Sequence, residues 1–142
     1  MRHSFKVAFA TADRIHINQH FGAATGFAIY SLDGEYSKLV AMAEFSEARQ
    51  DGNEDKLTAR MSALEGCTAV FCQAVGGSAM RQLMARGIQP IRLESVEPID
   101  LRLAVLRRAI RDGSVPWINK ALRRDTDPDR FERMAAEGWN ND

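Results

Sequence analysis

The sequence predicts a three-layer α/β/α sandwich around a mixed five-stranded sheet. Three observations carry that expectation. Short apolar runs in the first third are joined by turn residues, Asp33-Gly34 above all, which marks an antiparallel meander. After the meander, apolar runs alternate with stretches of helical period, the pattern of strands joined by helices. Thr68 to Cys72 (TAVFC) is apolar and β-branched, as a central strand covered on both faces would be.

Taken in order, Phe5 to Ala10 (FKVAFA) reads as a buried strand. Polar residues 11–26 follow, with extended chain around Ile15 to Asn18. Phe27 to Leu32 and Tyr36 to Phe45 form a hairpin about Asp33-Gly34. A polar loop then leads into a helix whose Leu57, Met61 and Leu64 share one face and which Gly66 stops. The central strand leads through Gly76-Gly77 to a helix with Ser78 as N-cap and Gly87 as its C-terminal stop. Ile88 to Leu93 is a strand that Pro90 confines to an edge or an end. Pro98 to Arg111 is a helix ended by Gly113, Val115 to Leu122 a further short one, and residues 123–142 a tail. Residues 1–142 are therefore expected to form one domain with a C-terminal tail. The arginines at 102, 107, 108 and 111 read as the solvated face of their helix.

Composition narrows the function. Apolar residues make up 45% of the 142, and 19 basic residues balance 19 acidic ones. A neutral chain is not the expected nucleic-acid binder, which needs a basic surplus against phosphates. No apolar run approaches the roughly 20 residues of a membrane helix. Cys67 and Cys72 are spaced C-x4-C, unlike zinc or thioredoxin-like motifs, so a reducing, cytoplasmic setting and no disulfide are expected. There is no G-x-S-x-G or H-E-x-x-H motif, and the carboxylates at 13, 51, 54 and 55 suit capping and solvation. An enzyme is not expected.

Two stretches could carry chemistry. HINQHFG, residues 16–22, brings His16 and His20 within four residues of each other. Neutral imidazole is a common ligand for iron and other transition metals, but two histidines in a loop have no fixed geometry. Hydrogen-bonded or solvated imidazoles are the competing reading. Phe21 reads as a core plug and Gly22 as a turn residue of positive φ. GCTAVFCQAVGGSA, residues 66–79, puts a strand end, a glycine pair and a helix start in succession. Such loops place backbone N–H groups at the carboxyl edge of a sheet, where α/β proteins tend to bind anions. Here Gly76 and Gly77 could equally serve a tight turn, and Cys72 a buried packing role.

Read together, VAFATADRIHINQHFG, FAIYSL, DGNEDKL and EGCTAVFCQAVGGSAMRQLMARGIQP resemble the dinitrogenase iron–molybdenum cofactor-binding family, and the ending RFERMAAEGW resembles its nitrogenase accessory branch. The resemblance runs in order along nearly the whole chain. It implies a sandwich related to the ribonuclease-H-like motif, and proteins that carry the iron–molybdenum cofactor or its iron–sulfur precursor to apo-dinitrogenase without catalysing a reaction. The family's HFG element falls on His20, Phe21 and Gly22, which makes His20 the expected metal-cluster contact. His16 lies outside that element. Cys72 or Cys67 could ligate a cluster iron, but the family pattern does not decide it. Backbone N–H groups near Gly76, Gly77 and Ser78, with Arg14, would offset the cluster's negative charge. Apo-dinitrogenase and cofactor-assembly proteins are the implied partners, with a monomer expected. The alternative is a protein–protein module that stabilises apo-dinitrogenase, docking through Phe131 to Met134 and Trp139.

Overall fold

The computed structural model describes residues 4–45 and 53–125. Asp51, Phe131, Met134 and Trp139 lie outside the described residues. Among the described residues, seven strands and four helices follow the chain as β1 (Phe5–Ala10), β2 (His16–Ile17), β3 (Gly26–Leu32), β4 (Ser37–Glu44), α1 (Asn53–Ala63), β5 (Ala69–Cys72), α2 (Gly77–Ala85), β6 (Gln89–Arg92), β7 (Glu97–Pro98), α3 (Ile99–Asp112) and α4 (Pro116–Asp125). The main sheet has the order β4-β3-β1-β5-β6. Its β4, β3 and β1 are antiparallel neighbours, while β1, β5 and β6 run parallel. The mixed five-stranded sheet expected from the sequence is therefore present.

Alternation along β1 splits its side chains between two cores. Val7 and Phe9 point to one face, where Ile99, Leu103 and Leu106 of α3 and Ile118 of α4 cover them. Ala8 and Ala10 point to the other, against Met61 and Leu64 near α1 and Ala79 and Leu83 of α2. The result is the three-layer arrangement. On the first face Phe9 stacks on Phe71 with ring centroids 5.3 Å apart.

Local chemistry explains the turns. Asp33 Oδ1 accepts the N–H groups of Glu35 and Tyr36, which closes the β3–β4 hairpin. Gly113 takes φ 65° at the end of α3, a setting glycine adopts without steric cost. Pro90 lies in β6, an outer strand, as its missing N–H requires.

Four details differ from the sequence expectation. His16 and Ile17 are a true strand, paired antiparallel with Glu97 and Pro98 in a separate two-stranded ribbon. The N-cap of α2 is Gly76, whose carbonyl accepts the Met80 N–H; Ser78 lies inside the helix and its hydroxyl accepts from Gln82 Nε2. Helix α4 runs to Asp125, three residues into the expected tail. The α3 arginines are more than a solvated face. Arg102 forms a two-point pair with Glu97, while Arg107 and Arg111 donate to Ser37 Oγ and the Gly34 carbonyl and so tie α3 to the hairpin. Among the described residues no helix is long and apolar enough to cross a membrane.

Candidate functional site

Parallel β1, β5 and β6 end at one edge of the sheet, so the loops that follow them gather there. The first is the turn at residues 11–16. Asp13 Oδ1 accepts the N–H groups of Ile15 and His16, both at 2.8 Å, and its Oδ2 lies 2.8 Å from His16 Nδ1. The Thr11 hydroxyl donates to Asp13 Oδ1 and accepts the Arg14 N–H. These bonds hold Arg14 at φ 67°. The bond from the His16 ring, and then the His16 and Ile15 N–H groups, hold the Asp13 carboxyl well below the usual carboxylate range. His16 is thus engaged with Asp13. The Arg14 guanidinium pairs with Glu44 at 2.6 Å, with both side chains more than half exposed.

The second segment, residues 18–25, is closed on itself. Gln19 Oε1 accepts both the N–H and the hydroxyl of Thr25, at 2.7 and 3.0 Å. Phe21 is fully buried beneath it and packs 5.4 Å from the Phe27 ring. From below, the buried Arg60 of α1 donates to the Ala24 carbonyl and sits 4.6 Å over the Phe45 ring. His20 precedes a 3-10 turn, Phe21–Ala23, in extended conformation. Its side chain is exposed, and no hydrogen-bond or ion-pair partner to it is found among the described residues.

The third segment, residues 73–77, meets the second through the backbone. Gln73 N–H donates to the Gln19 carbonyl at 2.9 Å, and Phe21 N–H donates to the Ala74 carbonyl at 2.7 Å. These two bonds bracket His20. The Gln73 side-chain amide adds bonds to the Ile17 and Ser95 carbonyls, both at 3.1 Å. Helix α2 starts immediately beyond, with no side-chain cap and no acidic residue in its first turn. Its leading N–H groups and dipole therefore form a positive end that carries no carboxylate. A Cβ built on Gly77 would lie 3.4 Å from Arg81 Nη1, so a guanidinium reaches back over that turn.

The glycines do not serve the backbone need expected of them. Gly22 and Gly76 have negative φ, and a Cβ added at either would meet nothing within 4 Å. What they contribute is open space at two points of this edge.

The structure brings His20, Phe21, Gly22, Gly76, Gly77 and Ser78 to one sheet edge. It places Arg14 on Glu44 and His16 on Asp13, in the adjoining turn. Cys72 is fully buried at the end of β5, and Cys67 is buried before its start, at the opposite edge of the sheet. Burial pushes both thiols up to about 11, which keeps them protonated at neutral pH, whereas a cluster ligand must be a thiolate. Among the described residues no group of three or more His, Cys, Asp or Glu side chains could hold a metal ion. Sequence reasoning missed Gln19, Gln73 and Arg60, the residues that fix the loop. Their only sequence signal is polar character beside a strand end or within a helix.

The model of the family described as dinitrogenase iron-molybdenum cofactor matches residues 3–108. Over 137 residues the chain is 48% identical to Protein NifX of Azotobacter vinelandii, covering 95% of this chain and 87% of that one. It is 34% identical to Protein NifX of Klebsiella pneumoniae, covering 98% and 86%. A crystal structure of a protein from Methanocaldococcus jannaschii shares the fold at TM-score 0.57 and 16% identity, over 78% of this chain and 93% of that one. The chain belongs to the dinitrogenase iron–molybdenum cofactor family.

Proposed function

We propose that this protein carries the nitrogenase iron–molybdenum cofactor, or its iron–sulfur precursor, as transient cargo during cofactor assembly and delivery to apo-dinitrogenase. One observation carries the reading: an exposed imidazole, His20, whose flanking peptides are clamped, shares a sheet edge with a helix start that has no acidic residue in its first turn. Bound cargo would take His20 as its protein ligand. The N–H groups of Gly77, Ser78 and Ala79 would face its negative charge, with Arg81 close by and Gly22 and Gly76 leaving room for its bulk.

The economy of ligands suits a carrier. A full set of thiolates makes a closed, long-lived cluster site. One imidazole with a handful of hydrogen bonds holds cargo that a better-equipped recipient can remove. Arg14 lies in the adjacent turn, where Glu44 already takes its guanidinium, so it is not among the groups that meet the cargo's charge. No step of bond making within a substrate is required of the chain.

A second reading, stabilisation of apo-dinitrogenase by protein contact, draws support from the outer strand β4, where Leu39 and Val40 are 49% and 45% exposed beside Tyr36 at 61%. Gel filtration of anaerobic protein mixed with isolated cofactor separates the two. The carrier reading expects the cofactor's chromophore to co-elute with the protein. Elution of the chromophore apart from a protein that still binds apo-dinitrogenase favours the second.

A further inference from the structure

We propose that the Gln73 side chain is the positioning group of this site, holding the Gln73 peptide against the Gln19 carbonyl, next to His20, before cargo arrives. The inference rests on the carrier reading and adds to it the group that pre-organises the ligand. Gln73 is the first residue beyond β5, so its position is fixed by an interior strand of the sheet, flanked by β1 and β6. From there its main-chain N–H reaches the Gln19 carbonyl, and its side-chain amide reaches the carbonyls of Ile17 and Ser95. One residue therefore ties together three parts of the edge: the histidine segment, the turn before α2 and the connection between β6 and β7.

The chemistry of the side chain matters. An amide nitrogen has two N–H groups, and two carbonyls from separate segments take them. A glutamate there would offer carboxylate oxygens to two carbonyl oxygens and would repel them. It would also add a negative charge beside an anionic cargo. An asparagine, one methylene shorter, would not span both carbonyls. The bond from Phe21 N–H to the Ala74 carbonyl closes the bracket on the other side of His20. With Gln19 Oε1 holding Thr25, the loop between Gln19 and Thr25 is pinned at both ends while the imidazole stays exposed. A ligand held this way loses less conformational freedom on binding than one on an open loop.

The test uses the full chain in four forms, unsubstituted, Gln73→Ala, His20→Ala and the double variant, with Gln73→Asn as a gentler form should Gln73→Ala fold poorly. Amide hydrogen exchange of Phe21 is read without cargo, with Phe9 and Phe71 of the core as internal controls. Titration with isolated iron–molybdenum cofactor under anaerobic conditions is read in parallel. The expected result is Phe21 exchange at least tenfold faster in Gln73→Ala, with the controls unchanged. Cofactor affinity should fall about tenfold, and the double variant should bind no worse than His20→Ala alone. Unchanged Phe21 exchange overturns the positioning role. Additive losses in the double variant overturn it too, because Gln73 would then contribute by contacting cargo itself. If neither single variant alters affinity, the carrier reading at His20 falls, while the exchange data still decide whether Gln73 sets the loop.

Discussion

Two neighbouring turns each contain a histidine, and the fold treats them in opposite ways. In the turn at residues 11–16 the order comes from side chains: Asp13 gathers two backbone N–H groups and the His16 ring, and Thr11 braces it. In the segment at residues 19–25 the order comes from backbone bonds to Gln73 and Ala74, from the Gln19, Gln73 and Arg60 side chains that brace the chain without touching the imidazole, and from a phenylalanine plugged into the core. The first arrangement occupies its imidazole. The second leaves its imidazole exposed while fixing the chain that bears it. Availability of a ligand therefore depends on what holds the loop, and histidine spacing says nothing about that.

The contrast can be broken most forcefully at Phe21. Replacing it by alanine empties a fully buried site next to Phe27 and should cost about 3–5 kcal/mol. Chemical denaturation measures this directly, and a loss below 1 kcal/mol would mean that the core does not anchor the segment. In the other turn, Asp13→Ala should cost only about 1 kcal/mol, the worth of an exposed hydrogen-bonded cluster. It should also loosen His16, seen as a shift of its ring resonances toward those of a free imidazole.

That turn has a pH signature. The folded Asp13 carboxyl titrates below its usual value of 3.8, so its stabilisation is present above that value and is lost as pH falls through the folded one. The turn should thus survive mild acid in the parent protein, and the stability difference between parent and Asp13→Ala should shrink only at the acid end. A difference that vanishes already near pH 5 would contradict the bonding described. The smallest effect is expected for Arg14→Ala. Its pair with Glu44 is exposed on both sides, and removal should change stability by about 0.5 kcal/mol or less.

Much of the scaffold is legible from the chain because periodicity survives without tertiary context. The alternation in FKVAFA, the Asp33-Gly34 turn and the i, i+4, i+7 spacing of Leu57, Met61 and Leu64 each reflect one local rule. The two-residue β2 is too short to carry a period, and its partners lie far along the chain, Glu97 opposite Ile17 and Pro98 opposite His16. The N-cap is Gly76 and not Ser78, since Gly76 is the last residue in extended conformation and Ser78 already lies inside the helix, where its hydroxyl accepts from Gln82. The site was legible as two stretches, but their meeting was not. It depends on β1 and β5 lying side by side in parallel, which brings Gln19 and Gln73 together across 54 residues. The difference between His16 and His20 had one local clue, Asp13 three residues before His16, well placed for a turn that captures a ring nitrogen.

The most direct measurement compares the two histidines in one assay. Isolated iron–molybdenum cofactor is titrated anaerobically into the parent protein, His20→Ala and His16→Ala, with folding of each checked by thermal unfolding. We expect His20→Ala to weaken binding at least tenfold and His16→Ala to change it by less than about threefold, corresponding to roughly 0.7 kcal/mol. Equal losses in the two variants, or a larger loss for His16→Ala, would contradict the assignment of His20 as the cargo ligand.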